Sequence, residues 1–262
     1  MGAPYREPVR YRLLGVHVDA LTIPDMHALI ARAVTTRERL TIVSQNLHSV
    51  YTLHHDPTLR EMQARATHIR IDGMPLILAG RLLGYPLHTR HRTGWMDWLD
   101  PFMREAVARG WRLYYLGSRP GVAEAGGERL RESYPGLQIV VHHGHFDMTP
   151  GSAELARVLA DIERARADVL IVGMGMPRQE TFLLHHGDRL SPPVCLTSGA
   201  ALDYVAGAIR TPPRWLGPIG LEWLYRLASE PRRLWRRYLV EPWFVARLLL
   251  QDALARASQG RR

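Results

Sequence analysis

Residues 167–182, A-D-V-L-I-V-G-M-G-M-P-R-Q-E-T-F, constrain the fold more than any other stretch. Residues 169–172 form a short, branched, uninterrupted apolar run. This is the pattern of a strand buried on both faces, as in a parallel sheet covered by helices. Gly173 and Gly175 then turn the chain, and Pro177 suits the first position of a helix. Arg178, Gln179 and Glu180 fill that helix's first turn. Open α/β sheets bind anions where a buried strand passes through glycine into a helix N-terminus, because free backbone N–H groups and the positive helix end face the ligand. The stretch is not a dinucleotide fingerprint: G-x-G-x-x-G requires glycine where this chain has Arg178, and no acidic residue closes a following strand at the right distance. The glycines alone are equally compatible with a turn that needs them for geometry. The polar triplet after them is what a purely structural turn does not require.

Further short segments at 13–18, 40–44, 68–71, 112–116, 138–141 and 194–197 read as strands. Helical patterns at about 24–34, from 47 onward, and at 74–83, 95–108 and 152–166 alternate with them, and another helix ends near 133. This βαβ spacing predicts an α/β fold: a mostly parallel, Rossmann-like sheet with helices on both faces. The hydrophobic fraction of 46% supplies a sizeable core. The single cysteine, Cys195, lies within an apolar run and reads as a small buried hydrophobe. No disulfide framework is available, which fits a reducing cytoplasm. The N-terminus has no apolar leader, and no window is long enough to span a bilayer.

The pattern changes after Thr211-Pro-Pro. Strands stop, and tryptophans 215, 223, 235 and 243 interleave with arginine. Pro231 starts a further helix, for which Ser229 is a candidate cap. A boundary near 210 divides an α/β catalytic domain (1–210) from a helical appendage (211–262). All the chain's basic residues other than histidine are arginine, and from 210 onward eleven arginines face four carboxylates, leaving that segment +7 of the chain's +9. Arg226, Arg233 and Arg236 fall near one helical face, although Pro231 interrupts the register. Such a run is commonly a solvated basic face. With tryptophan alongside, it also suits an anionic membrane surface or stacked single-stranded bases.

Several strand ends carry polar groups: Ser44 and Asn46, Asp72, the 175–180 turn, and Asp203. Strand C-termini in such sheets face one crevice. A carboxylate at the end of a buried strand is suited to general-base work. Asp72 holds that position, though it equally suits an N-cap for the helix that follows. Arg90 and Arg92 bracket a short basic loop that fits either a phosphate or solvent. His142, His143 and His145 match no zinc spacing, and no D-x-D pair for a diphosphate-bound cation is present, so no metal site is implied.

These residues together resemble the bacterial WecG/TagA/CpsF glycosyltransferases over about 14–238. The markers are L-L-G-V-x-V-D-A-L-T, S-Q-N after the second strand, I-D-G-M-P-L, Y-Y-L-G-S-R-P-G-V-A, G-M-G-M-P-R-Q-E, G-A-A-L-D-Y-V-A-G and G-L-E-W-L-Y-R-L, in that order. The resemblance implies transfer of a sugar from a nucleotide-sugar donor to a polyprenyl-diphosphate-linked saccharide in cell-surface polysaccharide synthesis, with inversion and without metal or other cofactor. It implies that Asp72 is the general base, that Ser44 and Asn46 line the sugar site, that Gln179 contacts the donor with Glu180 beside it, and that Asp203 lies near the nucleoside. It further implies that Arg226, Arg233 and Arg236 close the site over the leaving diphosphate. The appendage would rest on the cytoplasmic face of the bacterial inner membrane, and self-association into a homo-oligomer is compatible. Ser44 replaces the family's usual threonine but keeps its hydroxyl. The family's R-V-T-G loop reads R-H-R-T-G, so Arg90 and Arg92 are both candidates for its arginine, and the R-T-G-W-M-D-W variant is similar to the exopolysaccharide branch. Two readings from other classes are a nucleic-acid-binding protein built on the tail and a nicotinamide-dependent oxidoreductase.

Overall fold

The computed structural model describes residues 7–217 and 219–259. The amino-terminal stretch read for a leader, and the last two arginines of the tail, lie outside them. Eight strands form one sheet: β1 (Arg10–Leu13), β2 (Val16–Asp19), β3 (Leu40–Gln45), β4 (His68–Ile71), β5 (Arg112–Gly117), β6 (Gln138–His142), β7 (Val169–Gly173) and β8 (Val194–Thr197), in the order β1-β2-β4-β3-β8-β7-β5-β6. Only β1 and β2 pair antiparallel. Every other pairing is parallel, as the uninterrupted apolar runs require.

Alternation along the strands divides the core between two faces. Leu113, Tyr115, Val169 and Ile171 pack on one side with α1 (Ile23–Thr36), α5 (Trp95–Arg109) and α6 (Val122–Ser133). Tyr114, Leu116, Leu170 and Val172 pack on the other with α3 (Pro57–Arg65), α7 (Ala153–Ala165) and α8 (Arg178–His186). Cys195 is buried in this second cluster. The third cluster covers β1 and β2 with α2 (Leu47–His55), α4 (Met74–Leu82) and α12 (Glu241–Gln259). The tail's remaining helices are α10 (Glu222–Ser229) and α11 (Pro231–Trp235), and α9 (Ala201–Val205) follows β8.

Three local expectations change. Residues 13–18 form a hairpin and not one strand, because Leu14 and Gly15 both take positive φ (55° and 73°) and reverse the chain. A helix at 57–65 occupies sequence left unassigned: Asp56 accepts from the Thr58 N–H and Pro57 opens the first turn. Ser229 does not cap α11. Its hydroxyl donates to the Tyr225 carbonyl, and Glu230 takes the cap position without a side-chain bond.

The tail folds back on the first half of the chain. Val245 is buried in the third cluster, and Phe244 meets the Tyr51, His54 and His55 rings. Asp252 accepts from the Leu14 N–H at 2.6 Å, and Arg256 reaches the Leu83 carbonyl and stacks on Tyr85.

Asp19 fastens β2 beside β4. It is buried and accepts from Arg10 at 2.7 and 2.8 Å, from the Ile69 N–H at 2.8 Å and from His68 at 3.2 Å. Burial alone would raise its pKa, but these donors outweigh burial and hold it below the usual carboxylate value. The stabilisation is therefore complete above that ordinary value and is lost as pH falls through the lower folded-state value. Asp19→Asn is expected to cost about 2–3 kcal/mol in urea unfolding near pH 7, with Arg10 half exposed and partly screened. The difference from wild type should shrink at acid pH; a difference that persists undiminished would remove the charge as its source.

Candidate active site

Four parallel strands deliver their C-terminal ends to one crevice, tied edge to edge. The Asp72 N–H donates to the Gln45 carbonyl at 2.8 Å, Thr93 N–H to Ile71 at 2.8 Å, and Ser198 N–H to Val172 at 2.8 Å. The Ser44 N–H donates to the Thr197 hydroxyl at 2.9 Å. Glycine permits the approach at the far side: a Cβ at Gly173 would fall 2.0 Å from the Tyr115 hydroxyl. Gly175, at φ +77°, makes the turn itself. The two glycines read together as a turn thus have separate jobs.

A cleft of about 450 Å³ opens on this edge, and the tail forms its outer wall. Ser44, Asn46, Asp72, Arg92 and Gln179 line it from the sheet side; Arg226, Arg233 and Arg236 line it from the tail. A neighbouring chamber of about 420 Å³ shares Asn46, Asp72, Arg226 and Arg237 with it and continues under Trp223 and Tyr238. A third, of about 620 Å³, holds Asp203 with Ser118, Arg119 and Arg178 and joins the cleft at Gly175, Gly199 and Arg233.

Asp72 stands where the first two cavities meet. It does not cap α4: Gly73 holds that position without a side-chain bond. Its carboxylate instead accepts from Arg70 at 3.4 Å. Arg70 is fully buried, donates also to the Thr93 and Thr197 carbonyls, and lies against the Trp95 and Trp98 rings at 5.8 and 5.9 Å. Burial pushes its pKa down, and Asp72 opposes that shift. Gly94 packs closely beside them: a Cβ there would sit 3.1 Å from the Asp72 carboxylate.

Asn46 faces the cleft while capping α2: its side-chain oxygen accepts from the Ser49 N–H at 3.1 Å. The choice between the two loop arginines resolves to Arg92 at the cleft. Arg92 is buried and paired to Asp97 at 2.5 Å and to Glu222 of the tail at 3.2 Å. Arg90 is exposed and lines none of the three cavities. Glu180 also departs from expectation: it is buried behind Gln179 and absent from the cleft wall. Arg178 turns away to the Gly144 and Phe146 carbonyls. Asp203 accepts from Ser118 at 3.1 Å, and burial raises its pKa against that bond and the fields of Arg119 and Arg233.

Residues that the sequence did not single out complete the site. His48 on α2 pairs through Nδ1 with Glu241 at 2.7 Å, a second tie between core and tail. Burial lowers the His48 pKa, aided by Arg237, against the opposing pull of Glu241. Arg226 is largely desolvated, yet Tyr204, Tyr238, Asp72 and Glu230 raise its pKa overall; its Nε is buried without a hydrogen-bond partner. Burial lowers the pKa of Arg237. Only the three-dimensional return of the tail brings these groups to Asp72. Among the described residues, no three His, Cys, Asp or Glu side chains converge as a metal site.

The Arg92 bridge generates a test. Arg92→Met should speed hydrogen exchange of the α10 amides roughly tenfold, the loss of about 1.4 kcal/mol of local stability, while β-strand amides stay protected. Unchanged α10 exchange would mean that Glu222 does not hold the tail through Arg92.

A family model described as "Glycosyl transferase WecG/TagA/CpsF family" matches residues 11–259. A relative from Staphylococcus aureus strain MRSA252, named N-acetylglucosaminyldiphosphoundecaprenol N-acetyl-beta-D-mannosaminyltransferase, is 30% identical over 227 residues, 86% of each chain. One of the same name from strain MW2 is 29% identical over the same share.

Proposed function

The chain belongs to the WecG/TagA/CpsF glycosyltransferase family, and from that premise we propose an inverting, metal-independent transfer of a hexose or N-acetylhexosamine. The sugar passes from a nucleotide-sugar donor to a polyprenyl-diphosphate-linked saccharide in cell-surface polysaccharide synthesis. One observation carries this reading: a strand-end carboxylate, Asp72, shares a cleft with guanidinium groups from both core and tail. The carboxylate takes the proton from an acceptor hydroxyl as that oxygen attacks the anomeric carbon. The bond from that carbon to the diphosphate breaks, and the diphosphate leaves with the bonding pair. Arg226, Arg233 and Arg236 offset its charge, with Arg237 beside them, a task that a divalent cation performs in other enzymes. Arg70 keeps the base aimed from below, Ser44 and Asn46 face the sugar, Gln179 the donor, and Asp203 the nucleoside.

The relatives' name supports the acceptor class, since it specifies a saccharide on diphosphoundecaprenol. It also specifies a β product, which arises by single displacement from an α-linked nucleotide sugar. The more apolar chamber beside Asp72 suits the acceptor side, because Trp223 and Tyr238 of the tail line it. Elsewhere on the tail Trp215, Trp235, Trp243, Leu239 and Leu254 are exposed. Among the described residues no helix is long and apolar enough to cross a membrane. We place the enzyme peripherally, on the cytoplasmic face of the bacterial inner membrane, with the tail as its contact. Arg226, Arg233, Arg236 and Arg237 line the cleft, and the tail's carboxylates Glu222 and Glu241 tie it to the core, which favours an anionic substrate over a nucleic-acid surface.

The first measurement is transfer from a panel of UDP- and GDP-sugars to a short-chain polyprenyl-diphosphate saccharide. One donor should react, and Asp72→Asn should fold normally and lose at least about 10³-fold in kcat. Turnover by the variant near the wild-type rate would remove Asp72 as base. EDTA should leave the rate unchanged; strict dependence on added Mg²⁺ or Mn²⁺ would contradict the arginine assignment. The double variant Trp235→Ser, Trp243→Ser should bind anionic vesicles roughly tenfold more weakly with unchanged melting. Equal binding would move the membrane contact elsewhere.

A further inference from the structure

Gln179 reaches the cleft from the first turn of α8, and both ends of its side-chain amide are held. Its oxygen accepts from the Gly199 N–H at 3.1 Å, and its nitrogen donates to Glu180 at 2.7 Å. Glu180 is 5% exposed and makes no wall of the cleft. Its second carboxylate oxygen is buried without a hydrogen-bond partner, as is the Gln45 side-chain nitrogen. Both residues line a chamber of about 20 Å³ behind Ser44, shared with Ser49 and Gln63. That is room for about one water, which two unsatisfied polar atoms of opposite type would bind. Gln63 fixes the far end by donating to the Gln45 oxygen at 3.0 Å.

A carboxylate in this place is costly. An apolar residue of similar size would pack against Leu53, Leu59 and Met62, which also line the chamber, without leaving an unpartnered charge. Burial pushes the Glu180 carboxyl up to about 7, the bond from Gln179 opposes this, and the nearby Asp56 adds to it. The other charged or titratable groups of the packing helices turn elsewhere. Arg60 faces the Leu53 and His54 carbonyls, Glu61 and Arg65 face each other, and His48, His54 and His55 bond Glu241, Leu14 and Tyr51. Fold stability therefore does not explain this acid, whereas the orientation of its neighbour does. A free glutamine amide rotates and flips; one anchored at both ends presents a fixed N–H to the cleft.

We propose that Glu180 is a positioning residue that, with Gln45 and one buried water, locks the Gln179 amide in the orientation that receives the nucleotide-sugar donor. The inference rests on the functional reading above for the identity of the donor, but not for the geometry of the lock. It moves Glu180 from the substrate-contacting group to the support behind it.

The test compares Glu180→Met and Glu180→Gln, each alone and in a Gln179→Ala background. Glu180→Met removes the acceptor for the Gln179 N–H, so the donor KM should rise about tenfold or more, the value of one oriented hydrogen bond. Its melting temperature should match or exceed that of wild type. Because the folded-state pKa of Glu180 is raised, the stability gain should grow as pH rises from about 4.5 to about 7. Glu180→Gln retains an acceptor oxygen and should stay within about threefold of wild type. In the Gln179→Ala background, Glu180→Met should add less than about twofold, because the two residues act as one unit. A wild-type donor KM in Glu180→Met, or an equal loss with and without Gln179, would overturn the proposal. Crystal structures of wild type and Glu180→Met decide independently of activity. Release of the Gln179 oxygen from the Gly199 N–H in the variant supports the lock; an unmoved amide overturns it even if no donor in the panel reacts.

Discussion

The strand-end edge depends on one buried cation. Arg70 sits under the ends of β4 and β8 and the 92–94 loop, bonding Asp72 and the Thr93 and Thr197 carbonyls beside the packed Trp95–Trp98 pair. A guanidinium has five N–H donors in a rigid plane, so one side chain can satisfy carbonyls that no sheet pairing reaches while holding a carboxylate in place. The desolvation penalty is large, and one carboxylate with several carbonyls is the arrangement that offsets it. Trp95 adds a second tie to the same point through its indole N–H on the Thr197 carbonyl at 3.0 Å. The aim of Asp72 is consequently set by the core and not by a loop. The T-G-W segment is bound to the same cation through the Thr93 carbonyl and the Trp95 ring.

The tail closes this edge by charge more than by apolar packing. Arg92 reaches Glu222, and His48 reaches Glu241. The two ties run in the same sense, from a core guanidinium and a core imidazole to carboxylates of the tail, and they lie at different places along the cleft wall. Apolar packing enters farther out, where Val245 and Phe244 seat α12 on α2. That arrangement separates two demands. The far helix is anchored by burial, which is insensitive to substrate, while the segment over the cleft is held by pairs that an incoming anion can perturb.

Much of this was legible in the sequence. Short strand-like runs alternating with helical patterns pointed to a mostly parallel buried sheet, so its crevice followed, and eight of the eleven candidate residues line the cleft. The misses have physical reasons. The 13–18 run reads as one strand because Leu14 is apolar, and nothing local announces a leucine at positive φ. The helix at 57–65 has little apolar content, so its periodicity is faint although Asp56-Pro57 marks its start. Adjacent residues on a helix point about 100° apart; Gln179 and Glu180 therefore could not both face the cleft, and the polar triplet divides into a loop anchor, a cleft amide and a buried acid. Arg90 and Arg92 differ only in tertiary position, which the backbone bridge from Ile71 to Arg92 decides. His48 and Arg237 belong to the site only once the tail has returned, a contact across nearly the whole chain that no window captures.

The charge balance of the tail bears on what the cleft is for. Its four carboxylates are each engaged in a tie: Glu222 to Arg92, Glu230 to Arg233, Glu241 to His48 and Asp252 to the Leu14 N–H. Arg226 is largely desolvated and keeps a buried N–H without a partner, facing the same space as Arg236 and Arg237. Several guanidinium groups drawn together in a partly dry space repel one another, and Asp72 and Glu241 are among the opposing charges that line it. A bound anion with several acceptor oxygens would relieve that repulsion and satisfy the orphaned donor at once. The proposed diphosphate fits this role in both charge and hydrogen-bonding capacity. In the proposed transfer the charge on its leaving oxygen grows as the anomeric bond breaks, so the same guanidinium groups would bind the transition state more tightly than the ground state. The mutual repulsion of these groups and the stabilisation of the leaving group would then be two aspects of one arrangement.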